Sequence, residues 1–344
     1  MNPLSLLYGH AARRRRRYYA ARPEIRRRLR APVISVGNLS AGGSGKTPLV
    51  EHLARLLLDA ERRPAILTRG YGRAEAADGA VVVSDGRRLL ADLARAGDEP
   101  LMLARNLPGA AVVVSADRCL AGTLAERALG CDVHLLDDGF QHLALQRTVD
   151  LVILGEDDLA RPVPFPGGRL REPLDAASLA DAVLWSGRSR LPHELGEELH
   201  LREVFSLVRE PGAIETQPFG DGPVPPAARV LAVAAIARPG PFVEELRQAG
   251  FDVAGELVWP DHHRFTRQDV ERIRSAASAS GALGIITTEK DMVRLLPWRP
   301  LPFAVAWRRL HVHVDPPDRF RAWLLARLAQ ASGGRAGDRS EPAA

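Results

Sequence analysis

The sequence predicts an α/β fold: a mostly parallel sheet with helices on both faces, followed by a second, smaller α/β domain. Three observations carry this. Short apolar runs without alternation recur between residues 32 and 190 and suit strands covered on both faces. Helical patterns separate them, and a second run of alternating elements follows residue 229. A glycine-rich turn, Ser40 to Thr47, sits between the first apolar run and a helical pattern, which makes the larger domain P-loop NTPase-type.

The elements follow in chain order. Residues 1–30 combine Leu4, Leu6, Leu7, Tyr8, Tyr18 and Tyr19 with ten arginines and a single acid, Glu24. This basic amphipathic segment suits an anionic membrane surface, where each arginine contributes about 1 kcal/mol. The larger domain spans residues 31–205, with strands expected at Val33–Val36, Ala65–Thr68, Val81–Ser84, Ala111–Ser115, Val133–Leu136, Leu151–Leu154 and Ala182–Trp185. Residues 206–228, with Pro211, Pro218, Pro223, Pro225 and Pro226, read as a connector. The second domain, residues 229–330, has strands expected at Val230–Ile236, Val253–Trp259, Gly284–Thr288 and Phe303–Val314, and helices at Pro241–Gln248 and Arg267–Ser280. Residues 331–344 read as a disordered tail.

Composition narrows the partners. The chain of 344 residues has net charge +5, but residues 1–30 alone carry +9, so the remainder carries −4. A mildly acidic body with 5% aromatics lacks the basic, stacking surface of a nucleic-acid binder. No apolar run approaches the ~18 residues needed to cross a bilayer. Cys119 and Cys131 have neither metal nor redox spacing and read as reduced thiols. Of 47 basic residues only Lys46 and Lys290 are lysines, which singles out positions where a compact ammonium serves better than a guanidinium.

The turn S-A-G-G-S-G-K-T makes Ser40, Ala41, Gly42, Gly43, Ser44, Gly45, Lys46 and Thr47 the candidate nucleotide-binding residues. Backbone N–H groups and the helix N-terminus attract phosphate, Lys46 reaches its terminal oxygens, and the Thr47 hydroxyl is a Mg²⁺ ligand. The pattern departs from the usual one in opening with Ser40 instead of glycine. Asp137 and Asp138 end a buried run, a position that suits Mg²⁺, and since adjacent side chains diverge on a strand, one of them addresses the metal. Asp98 and Glu99, in G-D-E-P, suit either helix punctuation or a base and metal acid near a γ-phosphate. In P-D-H-H-R-F, a histidine paired with a carboxylate across the cleft fits better than a metal site, because adjacent histidines rarely share one ion.

Seven motifs stand in order: G-N-L-S-A-G-G-S-G-K-T-P (Gly37 to Pro48), T-R-G-Y-G-R (Thr68 to Arg73), G-D-E-P (Gly97 to Pro100), D-D-G-F-Q-H (Asp137 to His142), L-R-E-P (Leu170 to Pro173), P-D-H-H (Pro260 to His263) and T-T-E-K-D (Thr287 to Asp291). Together they resemble the tetraacyldisaccharide 4'-kinase family, the lipid A kinases of Gram-negative bacteria. The family also tolerates a hydroxyl residue at the position of Ser40. The resemblance implies ATP-dependent phosphorylation of the 4'-hydroxyl of an acylated glucosamine disaccharide 1-phosphate, giving lipid IVA. It implies ATP and Mg²⁺ as cofactors, and a peripheral location on the cytoplasmic face of the inner membrane, at an anionic membrane surface. It implies no nucleic-acid partner and no obligate protein partner. By resemblance, Lys46 neutralises phosphate; Thr47, Glu99 and an acid of the Asp137/Asp138 pair handle the metal; and Asp98 is the base, oriented by His262. Substrate contacts are expected at Asn38, Tyr71, Arg118, Gln141, His142 and Arg171. The segment A-A-I-A-R-P, Ala234 to Pro239, departs from the family's glycine-containing turn and receives no role.

Two other classes compete. A P-loop GTPase or metal-chaperone switch shares the loop and the strand-end acids, but in T-T-E-K-D Lys290 and Asp291 are adjacent, without the spacing that reads guanine. A nucleic-acid-binding ATPase using the arginine arm fits poorly with the −4 body.

Overall fold

The computed structural model describes residues 2–42, 45–70, 73, 79–216 and 222–333. Gly43, Ser44 and Tyr71 of the candidate site, and the tail from residue 334, lie outside the described residues.

In chain order the elements are α1 (Pro3–Ala20), β1 (Val33–Asn38), α2 (Lys46–Asp59), β2 (Pro64–Thr68), β3 (Ala80–Asp85), α3 (Leu93–Ala96), α4 (Asp98–Asn106), β4 (Ala111–Ser115), α5 (Arg118–Ala128), β5 (Val133–Asp137) and β6 (Val149–Leu154). There follow α6 (Glu156–Ala160), β7 (Ala182–Trp185), α7 (Pro192–Leu199), β8 (Val204–Thr216), β9 (Arg229–Ala234), α8 (Pro239–Gln248), β10 (Asp252–Val258), α9 (Arg267–Ser280), β11 (Gly284–Thr288), α10 (Glu289–Leu295), β12 (Val305–Asp315) and α11 (Pro317–Gly333). The strands form one sheet in the order β10-β9-β11-β12-β8-β7-β6-β1-β5-β2-β4-β3.

Two parallel halves meet in this sheet. From β8 to β4 every pairing is parallel, with β3 antiparallel on the edge. From β10 to β12 the pairings are again parallel, and the antiparallel β12–β8 pair joins the halves. Every residue of β1, β2, β4 and β5 is buried, which explains their unbroken apolar runs. Strand β1 lies between β5 and β6, where the strand order changes direction, so the crevice beyond its C-terminal end is where such a sheet takes a ligand.

Residues 206–216, expected to be connector, belong instead to strand β8. Pro211 is accommodated because the register with β12 shifts between Arg308 and Leu310, a bulge that releases the ladder bond a proline cannot make.

Helix α1 is a docked element. Ser5 and Gly9 are buried against the body, and the Ser5 hydroxyl accepts from the Gly167 N–H at 2.9 Å. Arg16 forms a buried ion pair with Glu172, and its guanidinium lies 4.0 Å from the Phe140 ring centre. Leu4, Leu6, Leu7 and Tyr8 remain exposed beside the arginines.

Candidate active site

The phosphate loop leaves β1 through Asn38, which is fully buried. The Asn38 amide donates to the Ser40 carbonyl at 2.7 Å, and its oxygen accepts from Lys46 Nζ at 2.9 Å. Asn38 is thereby enclosed and braces the loop through Ser40 and Lys46. Gly37 is required here, because a Cβ would sit 2.4 Å from Phe140 Cβ and 2.9 Å from its backbone nitrogen. Gly45 has φ +89° as it caps α2, a conformation that favours glycine. Lys46 and Thr47 then begin the helix.

The L-R-E-P segment is laid against this loop. The Arg171 N–H donates to the Leu39 carbonyl at 2.6 Å, and the Ala41 N–H donates to the Arg169 carbonyl at 2.8 Å. This pairing delivers Arg171 Nη1 to both oxygens of Asp138, at 2.9 and 2.8 Å. Lys46 Nζ lies 3.5 Å from the same carboxylate. Burial alone raises the Asp138 acid, but Lys46 and Arg171 outweigh it and hold the acid below its usual range.

Asp137, at the end of β5, is in the opposite condition. Burial, then the nearby Glu99 carboxylate, push its acid up to about 7 despite Lys46. Among the described residues no three acidic, histidine or cysteine side chains close into a ready-made metal cage. Mg²⁺ does not need one, since it is usually held by one or two carboxylates together with water and substrate phosphates. A buried carboxyl strained by a neighbouring carboxylate, at the end of the strand beside the phosphate loop, fits such an ion.

Asp98 opens α4 after Gly97, whose φ of +87° turns the chain into the helix. Asp98 Oδ1 accepts from the Glu99 N–H at 2.9 Å. Its Oδ2 meets three nitrogens from the second half: it accepts from Arg294 Nε at 2.7 Å and from Arg294 Nη2, and lies 3.2 Å from His262 Nδ1. Although burial raises this acid, the His262 bond and the charges of Lys290 and Arg294 drive it far below the usual carboxylate range. His262 and Asp138 both have left-handed backbones, φ 62° and 56°. Such conformations cost about 1 kcal/mol or more in residues other than glycine and persist where the surroundings demand them.

Adjacent histidines diverge as expected. His262 faces Asp98, whereas His263 contacts Asp269 at 3.0 Å and stacks on Trp259. Arg118 is buried and donates to the Ser115 carbonyl at 2.7 Å. Gln141 donates to the Asn38 carbonyl at 3.0 Å, while its own Oε1 is buried without a hydrogen-bond partner among the described residues. The His142 acid is pushed down to about 4 by burial and by Arg118 and Arg147, so the ring is neutral near pH 7. A hollow opens beside the loop, lined by Ser40, Gly42, Gly155, Ser186 and Arg209.

Three residues of this constellation have no role in the sequence reading. Asp291 is fully buried and accepts from the Ala235 N–H at 2.9 Å, and Arg294 donates to the Ala235 carbonyl at 2.7 Å. The A-A-I-A-R-P segment is thereby clamped by its neighbours without a glycine turn. Lys290 lies between Glu99 and His262, and its rarity in an arginine-rich chain is the one signal that marks it. Arg294 carried no signal among so many arginines.

Known proteins resemble this chain in sequence and in fold. The family model described as tetraacyldisaccharide-1-P 4'-kinase (LpxK) matches residues 1–329. The tetraacyldisaccharide 4'-kinase of Pelobacter propionicus is 42% identical over 303 residues, covering 86% of this chain and 82% of that one. The enzyme of the same name from Koribacter versatilis is 40% identical over 304 residues, covering 86% and 88%. A crystal structure of LpxK from Aquifex aeolicus, described as an "apo" form in complex with ATP, superposes with a TM-score of 0.76 at 31% identity and covers 95% of this chain and 98% of that one. The similarity spans residues 1–329, and the chain belongs to the tetraacyldisaccharide 4'-kinase family.

Proposed function

We propose that this protein transfers the γ-phosphoryl group of ATP to the 4'-hydroxyl of a tetraacyldisaccharide 1-phosphate, forming lipid IVA. The observation that carries the reading is the meeting of Lys46, Asp137 and Glu99 from one half with the Asp98–His262 pair formed across the halves. Phosphoryl transfer asks for positioning and charge neutralisation, which a cleft closing between two lobes supplies. The division into a kinase domain and a second domain, hinged at the β8–β12 pair, belongs to this proposal.

Ser40 to Thr47 would cradle the phosphates, with Lys46 on the terminal oxygens. Asp137, Glu99 and the Thr47 hydroxyl would hold Mg²⁺, which would supply positive charge against the charge developing on the phosphates. Asp138 has the lesser claim, since its oxygens are engaged by Arg171 and Lys46. The Asp98–His262 pair would take the proton of the 4'-hydroxyl as the new O–P bond forms. Arg118, Gln141, His142 and Arg171 would meet the sugar and its 1-phosphate, where the neutral His142 ring and the unpartnered Gln141 oxygen suit hydroxyl groups.

The lipid must be reached at a bilayer. No helix of the described residues is long and apolar enough to cross one. The exposed Leu4, Leu6, Leu7 and Tyr8 of α1, with its arginines, support peripheral attachment to an anionic surface, the cytoplasmic face of the inner membrane. The test is nucleotide turnover with ATP and GTP, with and without acylated disaccharide 1-phosphate. Turnover of ATP that depends on the disaccharide supports the reading; GTP turnover indifferent to it points to the switch-protein class.

A further inference from the structure

The run Arg13 to Arg17 does not present five equal charges. Ser5, Gly9, Ala12 and Arg16 recur at spacings of four, three and four, which sets them on one face of α1. That face is docked. Besides the Ser5 contact with Gly167, a Cβ on Gly9 would lie 3.3 Å from Pro173, so the helix rests on the L-R-E-P segment itself. Arg16 ends the row with its side chain only 12% exposed, whereas Arg14 is exposed.

Arg16 reaches the turn that carries part of the candidate site. Its Nη2 donates to Glu172 Oε1 at 2.9 Å and to the Phe140 carbonyl at 3.3 Å, and its guanidinium covers the Phe140 ring. Arg15 Nη1 donates to the next carbonyl, that of Gln141, at 3.0 Å. Phe140 is fully buried, and the backbone of Gly37 closes on its Cβ. Glu172 follows Arg171, whose guanidinium grips Asp138. The turn 138–142 is therefore held by Gly37 on one side and by two arginines of a helix more than a hundred residues away in the chain. Attachment to a charged surface needs none of this, because charge acts through solvent and asks no guanidinium to be buried against a ring and a backbone carbonyl. Burying Arg16 is costly unless its donors are used, and they are used on Glu172 and on the turn.

We propose that Arg16, with Arg15 beside it, is a positioning residue: it holds the D-D-G-F-Q-H turn, and with it Asp138, Gln141 and His142, in its observed shape. Helix α1 then serves the chemistry as well as any surface it binds. The consequence for phosphate transfer rests on the kinase reading; the hold on the turn does not.

The test follows amide hydrogen exchange in the full chain. The N–H groups of Gly139, His142 and Leu143 donate to the carbonyls of Val36, Gly139 and Gln141, so they report whether the turn is closed. The variant is Arg16→Leu with Glu172→Gln, which leaves neither charge of the pair buried alone. Exchange at the three amides should quicken by about 10-fold or more, with the strand Gly284–Thr288 of the second half unchanged. Arg14→Leu removes the same charge from an exposed position and should leave the exchange of the turn as in the parent. In mixed micelles at saturating disaccharide, the double variant should lose about 10-fold in kcat with KM for ATP changed less than about 2-fold. Arg16→Lys, which keeps a donor and the charge, should recover part of that loss, and flotation of the double variant with anionic vesicles should fall no further than that of Arg14→Leu. Unchanged exchange in the folded double variant overturns the proposal, and so does a loss of kcat equalled by Arg14→Leu, which assigns the loss to charge alone. Should the double variant fail to fold, Arg15→Leu decides: faster exchange at Leu143 supports the proposal, and parental exchange overturns it. If the turn loosens in the double variant while the parent transfers no phosphate to the disaccharide, the kinase reading fails and the hold on the turn stands. If the parent transfers phosphate and the loosened variant does so at the same rate, the kinase reading stands and the positioning role fails.

Discussion

Replacing Arg294 by leucine removes a guanidinium whose side chain is 3% exposed and leaves its apolar volume largely filled. Two carboxylates lose their counter-ion, Asp98 at 7% and Asp291 at 0% side-chain exposure. Breaking a buried pair by removing one partner costs about 3–5 kcal/mol. The middle of that range applies, because Asp291 keeps bonds from the Ala235 N–H and the Thr288 hydroxyl, and Asp98 keeps those from Glu99 and His262. With an unfolding entropy of about 2.1 cal/mol/K per residue, a chain of 344 residues has about 0.7 kcal/mol/K, so ~4 kcal/mol lowers Tm by about 6 °C. The loss should depend on pH. Arg294 helps to hold the Asp98 acid low against burial, so its contribution is present above the unfolded carboxylate value and fades as pH falls through the folded one. Calorimetric melting of Arg294→Leu and the parent should therefore differ at neutral pH and converge in acid. Adding Asp98→Asn and Asp291→Asn to Arg294→Leu should restore at least about half the difference, since the buried charges are then gone. A single variant melting within about 1 °C of the parent at neutral pH, or a triple variant no more stable than the single, would refute the reasoning.

Four other outcomes follow. Asp98→Ala should lower kcat by about 10²-fold or more in steady-state transfer assays, with ATP affinity largely kept; unchanged turnover removes it from the reaction. Asp137 has a raised folded acid, so its folded form holds a proton that the unfolded chain has lost, and stability falls as pH rises from the free aspartate range to about 7. Asp137→Asn should flatten that fall in melting curves, and Mg²⁺ should raise Tm of the parent more than of the variant at the alkaline end. Gly37→Ala should destabilise by about 1–3 kcal/mol in denaturant titration, because its methyl group would overlap Phe140. Leu4→Gln with Leu7→Gln, at positions 60% and 68% exposed, should weaken flotation with anionic vesicles while leaving the Arg16–Glu172 pair that docks α1 intact.

Strands such as Ala111–Ser115 and Ala182–Trp185 were legible in the sequence because burial on both faces writes an uninterrupted apolar run. The phosphate loop was legible because its glycines are local necessities. Strand β8 was not, since Pro211 looks like punctuation until a bulge in the β12 pairing accommodates it. The bracing of the loop by Asn38 was not legible either, because nothing in the local sequence shows that its amide is used by Ser40 and Lys46. Arg294 and Asp291 were invisible for a related reason: their significance comes from Asp98, nearly two hundred residues away in the chain, and from a backbone segment at Ala235. Lys290 stood out by rarity, but its partners emerge only when α4 and α10 are brought together.

The central claim is tested most directly by incubating the protein with γ-³²P-labelled ATP, Mg²⁺ and a tetraacyldisaccharide 1-phosphate in mixed micelles, and locating the label in the lipid product. The account predicts label on the 4'-oxygen, with none transferred by Lys46→Ala. Label that stays in ATP or free phosphate, or reaches the lipid equally well with Lys46→Ala, would contradict it.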